Sequence, residues 1–495
     1  MDGMKPPAGT GFATGTGLFL RTLAACHGVA FGSYWLQAKG LVGPSGILPA
    51  GQYLAEVRRV FGARAWADVP SLCWIVGTHP AIDILCAAGC VLSVLLFLGW
   101  AQAPCLAALW CFYLSLVCVG QIFYAFQWDT LLLEATLVAV FLVPWTFRRV
   151  PDPREPPVLA RALVWWLLFR LMFQSGFVKL QAGDPAWRGL TALTFHYETQ
   201  PLPSPLAWYA HQLPLWTQKA SCAFMFAVEL AAPLCLVLPR RIRHPAVLSI
   251  ILLQVLIALT GNYTFFNLLS VGLCLTCLDD GWWRSLHWGS AGGGQSPPEA
   301  GFGRAQRLLL RWFAAFAAGV TILNAAASVS PAIARSRLVQ DVDEYVSPLE
   351  SFNDYGLFRV MTRERPELVI EGSNDGNDWR EYSLPYKPGD LRRRPSWVAP
   401  YQPRLDWQLW FAALGNPEDN VWVETLCERL LRGDRAVLGL FARNPFPDRP
   451  PRYLRVVRYR YEFTSFAERA RTGNWWSRTP MDFYITPISL KEAPL

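Results

Sequence analysis

Four charged residues, Glu134, Arg170, Lys179 and Glu229, stand inside or at the ends of long hydrophobic runs. A lone charge at bilayer depth costs roughly 2.5–3.5 kcal/mol on insertion scales, so each needs a partner, water or a task. Glu134, Arg170 and Glu229 fall near the middle of their runs. Pairing Arg170 with either glutamate would remove most of the penalty and fix which helices are neighbours. The same residues could pass protons or ions, but a transporter of that kind usually shows repeated, interrupted helices. No such repeat is visible, and the structural pairing is the expectation. Lys179 ends its run, where a lysine can lay its stem along apolar surface and snorkel to the interface.

Other candidate chemistry is weaker. Cys274 and Cys277 have redox-motif spacing, yet they close an apolar run without a thioredoxin-like βαβ context. The six histidines are scattered. None has the spacing of a zinc site, so no metal and no cofactor is expected. Gly292-Gly293-Gly294 with Ser296-Pro297-Pro298 is linker composition, lacking the preceding strand and following lysine of a phosphate loop.

The elements that must hold these residues follow from composition. Hydrophobic residues make up 53% of 495 and charged residues 17%, more apolar than a soluble core requires. Up to about residue 328 the chain is mostly long apolar stretches, whereas beyond it charge, proline and turn signals are dense. Nine stretches approach the roughly 17–25 residues of a spanning helix, near 14–35, 80–100, 104–126, 130–147, 158–180, 219–239, 244–261, 262–279 and 306–328. The fourth and eighth are short enough to be tilted or re-entrant. Arg21 and His27 interrupt the first, and no small-residue cleavage pattern follows it, which makes it an uncleaved anchor. The expected architecture is a multipass α-helical membrane domain of about 8–9 spans, residues 1–328, followed by a soluble, mainly β domain, residues 329–495.

Arginines orient the spans. Arg148, Arg149, Arg154 and Arg161 form one cluster, Arg240, Arg241 and Arg243 a second, and Arg284, Arg304 and Arg307 a third. An even number of spans separates each cluster from the next, so all three can be cytoplasmic, with the N-terminus inside and the tail outside. The loop 36–79 runs against this through Arg58, Arg59 and Arg64. The net charge of +8 rests mainly on the inner arginines, which meet anionic lipid and imply no nucleic-acid partner. Eleven of the twelve cysteines precede residue 300, leaving only Cys427 in the tail, so no disulfide framework is expected there.

Within the tail, Tyr355 to Met361 and Glu367 to Glu371 read as short strands, the second followed by a turn at Gly372-Ser373-Asn374-Asp375-Gly376. Asp419 to Leu431 reads as a helix with Val421, Leu426 and Leu430 on one face. Tyr453 to Phe463 alternates as a strand whose arginines either bind an acidic partner or, as is commoner, form an ordinary solvated face. The loop 181–218 carries Trp187, Phe195, Tyr197, Trp208 and Tyr209 among prolines, an aromatic surface suited to apolar polypeptide or the lipid interface.

Several strings resemble the lipase maturation factor family. They are Gly46-Ile47-Leu48-Pro49, Phe126-Gln127-Trp128-Asp129-Thr130-Leu131-Leu132-Leu133-Glu134, and Arg170-Leu171-Met172-Phe173-Gln174-Ser175-Gly176-Phe177-Val178-Lys179-Leu180. Trp187 to Leu193, His196 to Pro203, Gly261 to Asn267, Val369 to Gly376 and the basic, aromatic stretch Tyr386 to Trp410 extend the similarity over nearly the whole chain. The resemblance implies a multispanning endoplasmic reticulum membrane protein that helps secreted lipase polypeptides fold and assemble into homodimers, a chaperone-like factor and no hydrolase. The client-facing surface would be the aromatic loop 181–218 together with the tail. Arginine outnumbers lysine several-fold and alanine is abundant, as in a GC-rich bacterial gene, for which the membrane would be the cytoplasmic one. A more distant similarity joins Gly176-Phe177-Val178-Lys179-Leu180 and Trp187-x-Gly189 to the membrane core of vitamin K-dependent carboxylases. By that resemblance Lys179 would be a base, a role that desolvation of a lysine makes chemically sensible.

Overall fold

The computed structural model describes residues 11–150, 154–287 and 301–490. The glycine-rich linker at 292–298 lies outside the described residues. The helical region contains α1 (Ala13–Trp35), α2 (Thr78–Phe97), α3 (Gln102–Gly120), α4 (Gln127–Ala139), α5 (Val158–Gln181), α6 (Leu215–Ala231), α7 (Arg240–Thr260), α8 (Phe266–Leu275) and α9 (Arg304–Val329). Six helical segments, Thr78–Phe97, Gln102–Tyr124, Val158–Gln181, Leu215–Val237, Arg240–Thr260 and Arg304–Ala327, are long and apolar enough to cross a membrane. The protein is therefore a multipass membrane protein.

The other three stretches differ for identifiable reasons. α1 has 23 residues, but glycines, threonines, Arg21 and His27 dilute its apolarity. It packs inside the bundle, with Phe19, Leu23, His27 and Tyr34 fully buried. α4 and α8 have 13 and 10 residues. At 1.5 Å per residue they measure about 20 and 15 Å, short of a hydrocarbon core about 30 Å thick.

Bonds between loops fix the order of helix ends. Residues 99 and 150 are joined through the Val150 N–H on the Gly99 carbonyl (2.9 Å), so α3 leaves from and the segment after α4 returns to one level. Arg243 at the start of α7 donates to the Cys277 carbonyl (3.0 Å) and pairs with Asp279, just past α8. Asp280 in turn accepts from the Thr14 N–H, and Glu155 from the Phe12 N–H. Gln306 of α9 donates to the Val143 carbonyl (2.8 Å). The starts of α1, α5, α7 and α9 and the returns of α4 and α8 thus gather at one end of the bundle.

Beyond α9 the chain forms β1 (Arg365–Ser373), β2 (Arg380–Glu381), α10 (Arg404–Leu414), α11 (Trp422–Arg432), β3 (Tyr453–Phe463) and β4 (Trp476–Ile488). The four strands make one antiparallel sheet in the order β2-β1-β3-β4. Phe463 faces Trp476 across β3 and β4, and Val369 faces Val457 across β1 and β3. The arginines of β3 are spent within the sheet region: Arg455 on Glu371 (2.6 Å), Arg458 on Asp482 (3.3 Å) and Arg460 beside Glu364 and Glu462. That is the ordinary reading of such a strand face.

The tail is less β-rich than its sequence suggests, because α10 is buried nearly all round and shows no clean apolar stripe. Tyr355–Met361 is also no strand. It runs as irregular backbone with Tyr355 and Met361 buried among the helices, and its backbone is used by them: the Phe358 carbonyl accepts from Trp187 Nε1 (3.0 Å) and the Met361 N–H donates to Asp184 (2.6 Å). The arginines of loop 36–79, which opposed the charge rule, are partly neutralised, Arg59 by Glu56 and Arg64 by Asp68 and Glu344.

Candidate functional site

The intramembrane charges form two separate pairs. Arg170 of α5 is bonded to Glu134 of α4, and the neighbours of that pair come from the tail. Tyr355 donates its hydroxyl to Glu134 (2.6 Å) and the Asn353 carbonyl accepts from Arg170 (2.9 Å). Both Glu134 oxygens are thereby satisfied, as a buried pair requires, while the Arg170 Nε–H has no partner among the described residues. Lys179, in the last turn of α5, does not snorkel. It is buried and donates to both oxygens of Glu229 in α6 (3.0 and 2.8 Å) and to the Ser175 carbonyl (3.0 Å). Gly176 permits this approach, since a Cβ there would meet Glu229 Cβ at 3.0 Å. An ammonium holding three acceptors is placed as a charge partner, and this geometry gives no support to its use as a base.

A third pair was not visible as a pair in sequence. Asp129 of α4 and Arg404 of α10 are both fully buried and meet at 3.1 Å. Tyr113 donates to the same carboxylate. Both residues lie within strings that carried the family resemblance, but only the fold shows that they bolt the tail to the helices. The motif strings were the available signal.

The Lys179–Glu229 pair lines the wall of a cavity of about 720 Å³ between α5, α6, α7 and the loop 181–218. Trp187, Tyr197, Leu253 and Phe266 are among its lining residues, and Leu357 and Phe358 of the tail close one side. Where α7 and the short helix Pro205–His211 form its rim, Leu206, Leu213, Leu256 and Leu259 are exposed. His196 borders the cavity and holds Tyr263 through Nε2 (3.0 Å), while Tyr263 donates to Gln200 (2.8 Å). Burial, and secondarily Lys179, lowers the His196 pKa to about 4, so the ring is neutral.

The loop aromatics divide in a way the sequence does not predict. Trp187 and Trp208 are buried, at 2% and 0% exposure, and cannot present aromatic surface to a partner. Trp208 instead packs with Tyr461, Phe463, Trp475 and Trp476, anchoring the loop beneath the sheet. Phe195 and Tyr197 are half-buried, and Tyr209 is exposed with Phe466 beside it. At the same joint Glu198 accepts from the Phe463 N–H (2.5 Å). Burial nevertheless raises its pKa to about 7. Cys274 and Cys277 are wholly buried in their helical ends, away from any thiol partner in solution. Among the described residues no group of His, Cys, Asp and Glu could hold a metal ion.

Comparison with known proteins covers both parts of the chain. Residues 15–285 match the lipase maturation factor transmembrane domain, and residues 351–486 the lipase maturation factor C-terminal domain. Lipase maturation factor 2 of Gallus gallus is 36% identical over 97% of this chain and 82% of its own length. Lipase maturation factor 1 of Bos taurus is 36% identical over 96% of this chain and 89% of its own. Lipase maturation factor 1 of Homo sapiens is 35% identical over 99% and 91%. No solved structure matches.

Proposed function

Because the chain belongs to the lipase maturation factor family, we propose that it is a membrane-embedded factor assisting the folding and dimer assembly of exported lipases. The observation that carries this reading is likeness to maturation factors across both the helical region and the tail, at 36% identity over 97% of the chain. The tail and helices are also bonded through the buried Arg404–Asp129 pair and the Tyr355 hydroxyl on Glu134, as expected if they work as one body.

In this reading residues 1–328 are the membrane domain and 329–495 the outer domain, in the endoplasmic reticulum lumen or, for a bacterial source, the periplasm. All nine helices cross: α4 and α8 are short because the outer domain and loop 261–265 cap their outer ends, yet each returns to the end from which its predecessor started. The arginine clusters stand at that end, which is cytoplasmic.

Client contact needs exposed apolar side chains above the membrane. Tyr209 and Phe466 supply one such patch, and Met481 and Phe483 on the sheet's edge strand β4 another. Pro480 and Pro487 interrupt the donor row of β4, so the patch works through side chains and not by adding a client strand. The test is co-expression with a dimeric secreted lipase. Tyr209→Asp with Phe483→Asp should lower the active dimer recovered several-fold at unchanged lipase chain level, while the membrane level of the factor itself stays constant. Wild-type yields from that double variant would remove these patches as the client surface.

A further inference from the structure

We propose that the cavity beside the Lys179–Glu229 pair takes one uncharged glycerolipid from the bilayer, its acyl chain along the apolar wall and its ester and hydroxyl head toward Tyr197. Three observations carry this. First, about 720 Å³ lies within the range of sites that enclose a whole small ligand. Secondly, the rim runs from the short helix Pro205–His211 and Leu213 to α7, and Leu256 and Leu259 of α7, a helix apolar enough to span, are exposed on it, so hydrocarbon is the medium it opens to. Leu213, Leu256 and Leu259 face out at 45, 44 and 41% exposure, an entrance suited to a chain and hostile to an ion. Thirdly, the charges in the wall cancel. Lys179 and Glu229 satisfy one another at 2.8 Å, leaving no counter-ion for a carboxylate, phosphate or ammonium headgroup.

The polar end nevertheless has something to offer a neutral head. Tyr197 lines the cavity, is half-buried, and spends its hydroxyl on none of the hydrogen bonds among the described residues. A phenol can donate to an ester carbonyl or accept from a free hydroxyl, and a diacylglycerol presents both. Because Leu357 and Phe358 of the tail close the cavity, an occupied site would brace the tail against α5 and α6.

The test uses the full-length protein in phosphatidylcholine nanodiscs with a diacylglycerol bearing a photoactivatable group on one acyl chain. Crosslinked peptides are mapped, with the lipid-facing surface of α9 around Trp312 and Phe316 as the reference for bulk contact. Label should concentrate in 217–225 and 253–260, and Ser221→Trp, which fills the cavity, should cut it there at least tenfold while α9 labelling is unchanged. Unlabelled diacylglycerol should compete, whereas oleate and phosphatidylglycerol should not. Tyr197→Phe keeps the ring and should weaken that competition about three- to tenfold, the worth of one hydrogen bond. Labelling of 217–225 and 253–260 no higher than α9 and indifferent to Ser221→Trp would overturn the site. Equal competition by an anionic lipid, or unaltered competition in Tyr197→Phe, would overturn the assignment of a neutral head.

Discussion

At the scale of single residues, the protein pairs the buried charges of its helical region, Arg170 with Glu134, Lys179 with Glu229 and Asp129 with Arg404. Arg170→Leu should destabilise the helical domain by about 3–5 kcal/mol, because Glu134 is left buried without its partner. Adding Glu134→Gln should recover much of that loss, and adding Glu229→Gln should not, since Glu229 belongs to Lys179. Thermal unfolding of the three variants in detergent decides the matter; rescue by Glu229→Gln would mean the pairs are misassigned. Glu198 yields a pH prediction. Its folded pKa of about 7 lies above the ordinary 4.5, so the folded joint binds the proton more tightly, and its stability falls as pH rises between those values. Arg365 and Glu462 also face it, and His211 stands 3.8 Å away with its own pKa lowered by burial. Glu198→Gln should therefore make tail docking about 2 kcal/mol stronger than wild type at pH 8 and about equal at pH 4.5. Hydrogen exchange of β3 measures this, and an equal difference at both pH values would contradict it. That charges at 134, 170 and 229 needed partners was legible in sequence, because apolar flanks make a lone charge costly, whereas Lys179 read as an interfacial anchor and is instead the partner of Glu229. Which glutamate Arg170 takes was not legible, since helix adjacency is set by loops and by Tyr355, far along the chain.

Elements show the same division between what local pattern reveals and what distant packing decides. The long apolar helices and the alternating strand Tyr453–Phe463 were readable, because burial of one face leaves a period in the sequence. The stretch Tyr355–Met361 misled for a physical reason: its large apolar and aromatic side chains serve a segment threaded among helices, where Tyr355 reaches Glu134 and the Phe358 carbonyl meets Trp187. Trp208 misled in a similar way. An aromatic residue in a proline-rich loop reads as exposed surface, and only Phe463, Trp475 and Trp476, contributed by the distant sheet, bury it. Trp208→Ala should accordingly loosen the loop and the sheet together, by about 3–5 kcal/mol for a buried tryptophan. Limited proteolysis in detergent should then cut both near 211–215 and near 470–475 sooner than in wild type. Faster cutting in the loop alone would mean that the two are not held by this residue.

At the scale of the whole molecule the helical bundle and the tail are joined by the buried Asp129–Arg404 pair, and the proposed function places the tail on the side of the membrane opposite the arginine clusters. A cysteine introduced at position 375 should react with an impermeant thiol reagent applied to the outer face, and one at 241 should react only after permeabilisation. Reversed labelling would invert the placement of the client surfaces. Nearly all of the family assignment was legible in the motif strings, whereas the cavity beside Lys179 was not, being built from three helices, a loop and the tail. The central claim is that this chain makes lipases competent, and it is tested most directly by deleting it in its native host. The specific activity and dimer fraction of the secreted lipase should fall several-fold at constant lipase chain level, with an unrelated secreted enzyme unaffected. Unchanged lipase specific activity, or an equal loss of both secreted enzymes, would contradict the account.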